Sequence, residues 1–163
     1  MVDSIGVLFV CTGNICRSPT AEGVFVDLLA ASGLQDRVHV DSAGTYDYHP
    51  GKRPDSRSRS AAARRGYDIN NLRARVVEDE DFERFEYVLA MDRSHYHELA
   101  RICPDRYEDR LHMFLSFAAE LAVDEVPDPY YGGASGFETV LDIIEVGARG
   151  LIQHLEARFR GEK

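Results

Sequence analysis

Three cysteines in 163 residues are too few, and odd in number, for a disulfide framework, which points to a reducing compartment. No amino-terminal stretch joins a basic start to a long apolar run, and nothing approaches a membrane span. Secretion and membrane insertion are therefore not expected, and the cytoplasm is the expected location. A basic surplus is also missing. With 19 Lys and Arg against 28 Asp and Glu, the formal charge is −9, which disfavours general binding to nucleic acid or membrane surfaces. Zinc spacings, a Gly-x-Gly-x-x-Gly turn and a Walker loop are all lacking. His95 and His97 would face different sides of a helix, and His39, His49, His112 and His154 are scattered, so no metal and no cofactor is expected. No repeat, low-complexity tract or linker interrupts the chain, and its length suits one domain over residues 1–163.

What is present concentrates near the amino end. Val7 to Val10 is a short apolar run with the look of a strand buried on both faces of a parallel sheet. It ends at Cys11, and Thr12, Gly13, Asn14, Ile15 and Cys16 lead to Arg17, Ser18 and Pro19. Gly13 and Asn14 tolerate the tight or left-handed backbone of a cradle. Ser18 is a good N-cap and Pro19 suits a first helical position. Beyond them Ala21, Val24, Phe25, Leu28 and Leu29 recur at helical spacing. The loop is thus expected at a strand's carboxyl end and a helix's amino end, where unpaired N–H groups and the helix dipole favour an anion and a thiolate. Arg17 supplies a planar fork for two phosphate oxygens. Two residues at Cys-x5-Arg spacing recur by chance; the strand before them, the Gly-Asn within and the Ser-Pro after are what give the pattern meaning.

Further strands are expected at 38–43, 87–91 and 111–115, and helices over 56–65, stopping at Gly66, and over 94–102, stopping near Pro104. A last helix carries Phe137, Val140, Leu141, Ile144, Ala148, Leu151, Leu155 and Phe159 on one stripe. Alternating strands and helices predict a parallel α/β sheet with its ligand site beyond the strands' carboxyl ends. Between Lys52 and Arg75 the chain is basic, and from Glu78 to Glu86 acidic. Both stretches read first as solvated helix faces, with steering of anionic substrates as the further reading of the basic one. Cys103, beside Pro104, reads as structural.

A thiolate attacking a phosphomonoester expels an oxygen that needs a proton, and a water must later be activated, so one carboxyl group can act as acid and then base. Asp128 in Val126-Pro127-Asp128-Pro129-Tyr130-Tyr131-Gly132-Gly133 is the candidate. Alone, Asp-Pro is merely a common turn. Tyr130 and Tyr131 beside an anion pocket suit a phenyl phosphate, and Tyr48 offers another wall.

Residues 11–18, Asp-Ser-Ala-Gly-Thr at 41–45 and Asp-Pro-Tyr-Tyr-Gly at 128–132 resemble, in order and spacing, the three signatures of the low-molecular-weight protein tyrosine phosphatases. The resemblance covers nearly the whole chain. It implies a three-layer flavodoxin-like fold with four parallel strands, and hydrolysis of phosphotyrosine in protein substrates through a phosphocysteine. It implies Cys11 as nucleophile, Arg17 as phosphate and transition-state clamp, and Asp128 as general acid/base. Thr12, Gly13, Asn14, Ile15, Cys16 and Ser18 would form the phosphate loop, with Ser18 bonded to the thiolate and Asn14 and Ser42 as braces. Tyr48 would face Tyr130 and Tyr131 across the pocket. The two tyrosines match a phosphorylation site of some members, which would add a tyrosine kinase as a partner. Cys16 either fills space or, on family precedent, forms a reversible disulfide with Cys11; the redox reading is favoured. One departure stands out: the family often has a loop-supporting histidine where this chain has Leu72.

Arsenate reductases of this fold share the Cys-x5-Arg loop but need further relay cysteines, and only Cys103 remains. Phosphoarginine phosphatases usually carry a small polar residue at the place of Ile15, whose bulk favours a flat ring. A non-catalytic phosphotyrosine-binding module would be expected to lack Cys11 or Asp128.

Overall fold

Strand β1 (Ile5–Cys11) is buried at every position, and its side chains alternate between two cores. Ile5, Val7, Phe9 and Cys11 face one cluster; Leu8 and Val10 face the other. A strand covered on both faces lies in a sheet with a layer on each side, and in this computed structural model, which describes residues 4–161, β1 is also flanked by a strand on either edge. The sheet is four-stranded and wholly parallel, in the order β2-β1-β3-β4, with β2 at Val38–Gly44, β3 at Tyr87–Ala90 and β4 at Leu111–Met113. That order is flavodoxin-like: the connections from β1 run first to one side and then to the other, opening a crevice at its carboxyl end.

Among the described residues five α-helices complete the layers: α1 (Arg17–Ala31), α2 (Ser56–Arg64), α3 (Asp81–Arg84), α4 (Arg93–Ile102) and α5 (Ala134–Phe159). Helices α1 and α5 pack on the Phe9 face, where Phe9 meets Phe25 and Phe114 edge-on at 5.6 and 5.3 Å. The stripe from Phe137 to Leu155 is buried in that layer and Phe159 is partly so. The opposite core joins Leu8, Val10, Phe82, Phe85, Val88 and Leu99. Gly66 ends α2 as expected, with φ of +87°.

Three expectations need correction. The fourth strand stops at Met113, and Phe114–Phe117 turn into a 3-10 helix. Phe114 is fully buried against Phe9, on the face away from α4, and a continuing edge strand would not bring Phe114 and Leu115 together there. Ser18 is not the cap of α1: the helix starts at Arg17 after Cys16, without a side-chain cap, and Pro19 is its third residue. The Ser18 hydroxyl is drawn instead to Cys11, 3.0 Å from Sγ. Nor is the 78–86 stretch simply solvated. Asp81 is fully buried and takes Arg75 in a two-bond fork at 2.9 and 3.0 Å. On the basic side Arg57, Arg64 and Arg65 are also paired, with Asp55, Glu138 and Glu145 among their partners, which leaves less free charge for steering.

Candidate active site

The chain between β1 and α1 is held from outside by its carbonyls. Cys11 O accepts from Thr45 N at 2.9 Å, Thr12 O from Tyr46 N at 3.0 Å, Ile15 O from Asp55 N at 2.8 Å and Cys16 O from the Thr20 hydroxyl at 2.6 Å. Asn14 takes the left-handed conformation, φ 59°. A side chain at Gly44 would stand 2.6 Å from Thr12 O, so the glycine of the second motif lets β2 approach the loop.

Inside the turn, one buried amide organises three partners. Asn14 Nδ2 donates to Ser18 Oγ at 2.8 Å and Ser42 Oγ at 3.0 Å, and Asn14 Oδ1 accepts from Arg75 N at 3.0 Å. From the segment after Leu72 it is thus a backbone N–H, that of Arg75, that reaches the loop. The Ser42 hydroxyl in turn donates to Glu22 Oε1 at 2.7 Å. Glu22 is buried, and that burial pushes its carboxyl up to about 7 against the lowering effect of the Ser42 bond. Arg75 also binds Asp41 at 3.0 Å, so two motif residues, Asp41 and Ser42, are fixed from different sides.

Arg17 is almost wholly buried, at 3% exposure. Its NH1 donates to Asp92 at 2.7 Å and to the Val126 carbonyl at 2.9 Å, while NH2 lies 3.3 Å from His95 Nε2 and 3.7 Å from Asp128. Asp92 also caps α4 through Ser94 N at 2.9 Å. Burial pushes its carboxyl up, but the Ser94 and Arg17 hydrogen bonds outweigh that and hold it down at about 2. His95 is pushed down to about 4, first by burial and then by the Arg17 cation. Burial pushes the Cys16 thiol up to about 12, only partly offset by Ser58, so Cys16 is held as a thiol.

These pieces meet in a cavity of about 400 Å³ lined by Cys11, Arg17, Asp128, Tyr48, Tyr130 and Tyr131, with Thr12, Gly13, Ile15, Cys16 and His49. Asn14, Ser18 and Ser42 stand behind it as braces. Ten of the candidate residues line the cavity, Ser18 is bonded to Cys11 in its wall, and Asn14 and Ser42 connect to it through Ser18. Asp92, His95, Glu22 and Arg75 were not foreseen. Asp92-x-x-His95 opening a helix was a legible capping signal, but its reach to Arg17 was not. Among the described residues no group of three His, Cys, Asp or Glu side chains is placed to hold a metal ion, and no helix is long and apolar enough to cross a membrane.

A sequence model of the low molecular weight phosphotyrosine protein phosphatase family matches residues 6–160. The chain belongs to that family. It is 39% identical over 158 residues to the low molecular weight protein-tyrosine-phosphatase of Streptomyces coelicolor, covering 95% of this chain and 96% of that protein. Identity to the human low molecular weight phosphotyrosine protein phosphatase is 40% over 136 residues, covering 82% and 85%. A crystal structure of protein tyrosine phosphatase from Entamoeba histolytica, with Hepes in its active site, matches at a TM-score of 0.91 and 43% identity, covering 94% of this chain and 97% of that one. Low molecular weight phosphatases are hydrolases.

Proposed function

We propose that this chain hydrolyses phosphotyrosine in protein substrates, and small aryl phosphates, through a phosphocysteine. The observation that carries the reading is one cavity holding Cys11, Arg17 and Asp128 between three tyrosines. The phosphoryl group sits in the loop of residues 12–16, bound by backbone N–H groups and the Arg17 fork. Cys11 Sγ, steadied by the Ser18 hydroxyl at 3.0 Å, attacks phosphorus. The P–S bond forms as the P–O bond breaks, and Asp128 gives its proton to the leaving phenolic oxygen. Asp128, now a carboxylate, takes a proton from water, whose oxygen attacks phosphorus and releases phosphate and the Cys11 thiolate. Asn14 and Ser42 keep the loop in shape.

Tyr48, Tyr130 and Tyr131 flank a flat ring, and Ile15 adds apolar bulk to the wall, which favours phosphotyrosine over phosphoarginine. Tyr131, 92% exposed, is the more accessible of the two tyrosines to a kinase. The decisive comparison is hydrolysis of phosphotyrosine, phosphoserine and phosphoarginine peptides by wild type, Cys11→Ser and Asp128→Asn. Strong preference for phosphotyrosine is expected, with no turnover by Cys11→Ser and a loss of about 10²–10⁴-fold for Asp128→Asn. Undiminished activity in Cys11→Ser would refute the mechanism; equal use of phosphoarginine would refute the substrate class.

A further inference from the structure

Helix α4 touches the loop through a histidine that the mechanism above does not use. His95 is 1% exposed. Its Nδ1 accepts from Asp92 N at 3.2 Å, closing the capping box of α4. A neutral imidazole whose Nδ1 is an acceptor carries its proton on Nε2. Burial and the Arg17 cation keep the ring neutral. Asp92 Oδ1 also lies 3.3 Å from Nδ1, but Ser94 N and Ser94 Oγ, at 2.9 and 2.5 Å, already engage that oxygen. The groups facing the ring are thus Asp92, Arg17 and Asp128.

Nε2 is 2.8 Å from Thr12 Oγ1 and 3.3 Å from Arg17 NH2. With its proton on Nε2 the ring donates to the threonine, while the Arg17 guanidinium meets the same nitrogen. Thr12 directly follows Cys11, and its carbonyl is held on the other side by Tyr46 N. One turn of helix therefore fixes both ends of the loop: Asp92 holds Arg17, and His95 holds Thr12.

We propose that His95 is a positioning residue for phosphoryl transfer, fixing Thr12 beside the nucleophile in register with the Arg17 guanidinium. The proposal rests on the phosphatase reading above. It makes the His95–Thr12 bond matter for kcat more than for fold, since small misplacement of a reacting pair costs up to about 100-fold.

The test compares His95→Leu, His95→Gln, Thr12→Val, Thr12→Ser and the double variant His95→Leu/Thr12→Val with p-nitrophenyl phosphate, well below each variant's Tm. Inorganic vanadate serves as a turnover-independent probe of the loop. The expected result is a loss of about 10–100-fold in kcat for His95→Leu and for Thr12→Val, with a smaller change in KM. Vanadate should bind more weakly to both. The double variant should be no worse than the poorer single one, and Thr12→Ser should regain most of what Thr12→Val loses. Losses that multiply in the double variant, or kcat within twofold of wild type in Thr12→Val, would overturn the proposal. If His95→Leu does not fold, His95→Gln takes its place in the cycle. Failure of the underlying reading looks different: wild type itself would not turn over the ester.

Discussion

Glu22 shows how much of the site is decided by single buried groups. It accepts the Ser42 proton at 2.7 Å, while Ser42 accepts from Asn14, so this carboxyl orients the hydroxyl that orients the loop amide. Its carboxyl sits at about 7 against an ordinary 4.5, so the folded chain holds a proton that the unfolded chain releases at lower pH. The stability this gives is full below about 4.5 and is lost as pH rises through about 7. Glu22→Gln keeps an acceptor for Ser42 and removes the titration. Relative to wild type it should gain stability between pH 5 and 8, by up to about 3 kcal/mol. Denaturant melts of both proteins at several pH values check this; parallel curves would contradict it. His95 has the opposite sign: depressed to about 4 from 6.5, it contributes stability above 6.5 that is lost as pH falls toward 4. The two slopes oppose each other across the overlap, so only the variant isolates Glu22.

At the scale of elements, the loop between β1 and α1 is the unit of chemistry, and it carries two cysteines. Cys16 is held as a thiol by burial in the same cavity wall as Cys11. Hydrogen peroxide is expected to convert Cys11 to a sulfenic acid. Cys16 sulfur, giving up its proton to the leaving hydroxyl, then forms the S–S bond and releases water, a step its raised pKa makes slow. Inactivation should therefore be reversed by a thiol reductant in wild type and become progressively irreversible in Cys16→Ser. Irreversible loss in wild type would contradict this. The loop itself was legible in the sequence because Cys11 to Ser18 are contiguous and the strand and helix signals frame them. Helix α4 was legible as a helix, but not as a support. Arg17 meets Asp92 across 75 positions and Thr12 meets His95 across 83, and neither distance has a local pattern. Ser18 misled for a related reason: its cap propensity is local, and its bond to Cys11 is tertiary. The end of β4 was missed because the Phe114 side chain follows the core on the Phe9 face rather than strand alternation.

The molecule as a whole explains why the parts meet. Cys11 ends the central strand, at the point where connections part toward β2 and β3, so the crevice opens over Cys11. The chain from Met91 then returns across it: Val126 N donates to Met91 O at 2.8 Å, and Val126 O accepts from Arg17. This sets Asp128 two residues further, 3.7 Å from the same guanidinium. The central claim, that Cys11 carries the phosphoryl group between its two transfers, can be read directly. p-Nitrophenolate leaves without needing an acid, whereas hydrolysis of the intermediate needs the Asp128 base, so Asp128→Asn should accumulate the phosphoenzyme. Rapid quench of Asp128→Asn with p-nitrophenyl phosphate, followed by peptide mass analysis, is predicted to show one phosphoryl group on the peptide bearing Cys11, and none in Cys11→Ser/Asp128→Asn. A phosphoryl group on another residue, or steady turnover with Cys11 never modified, would contradict the account.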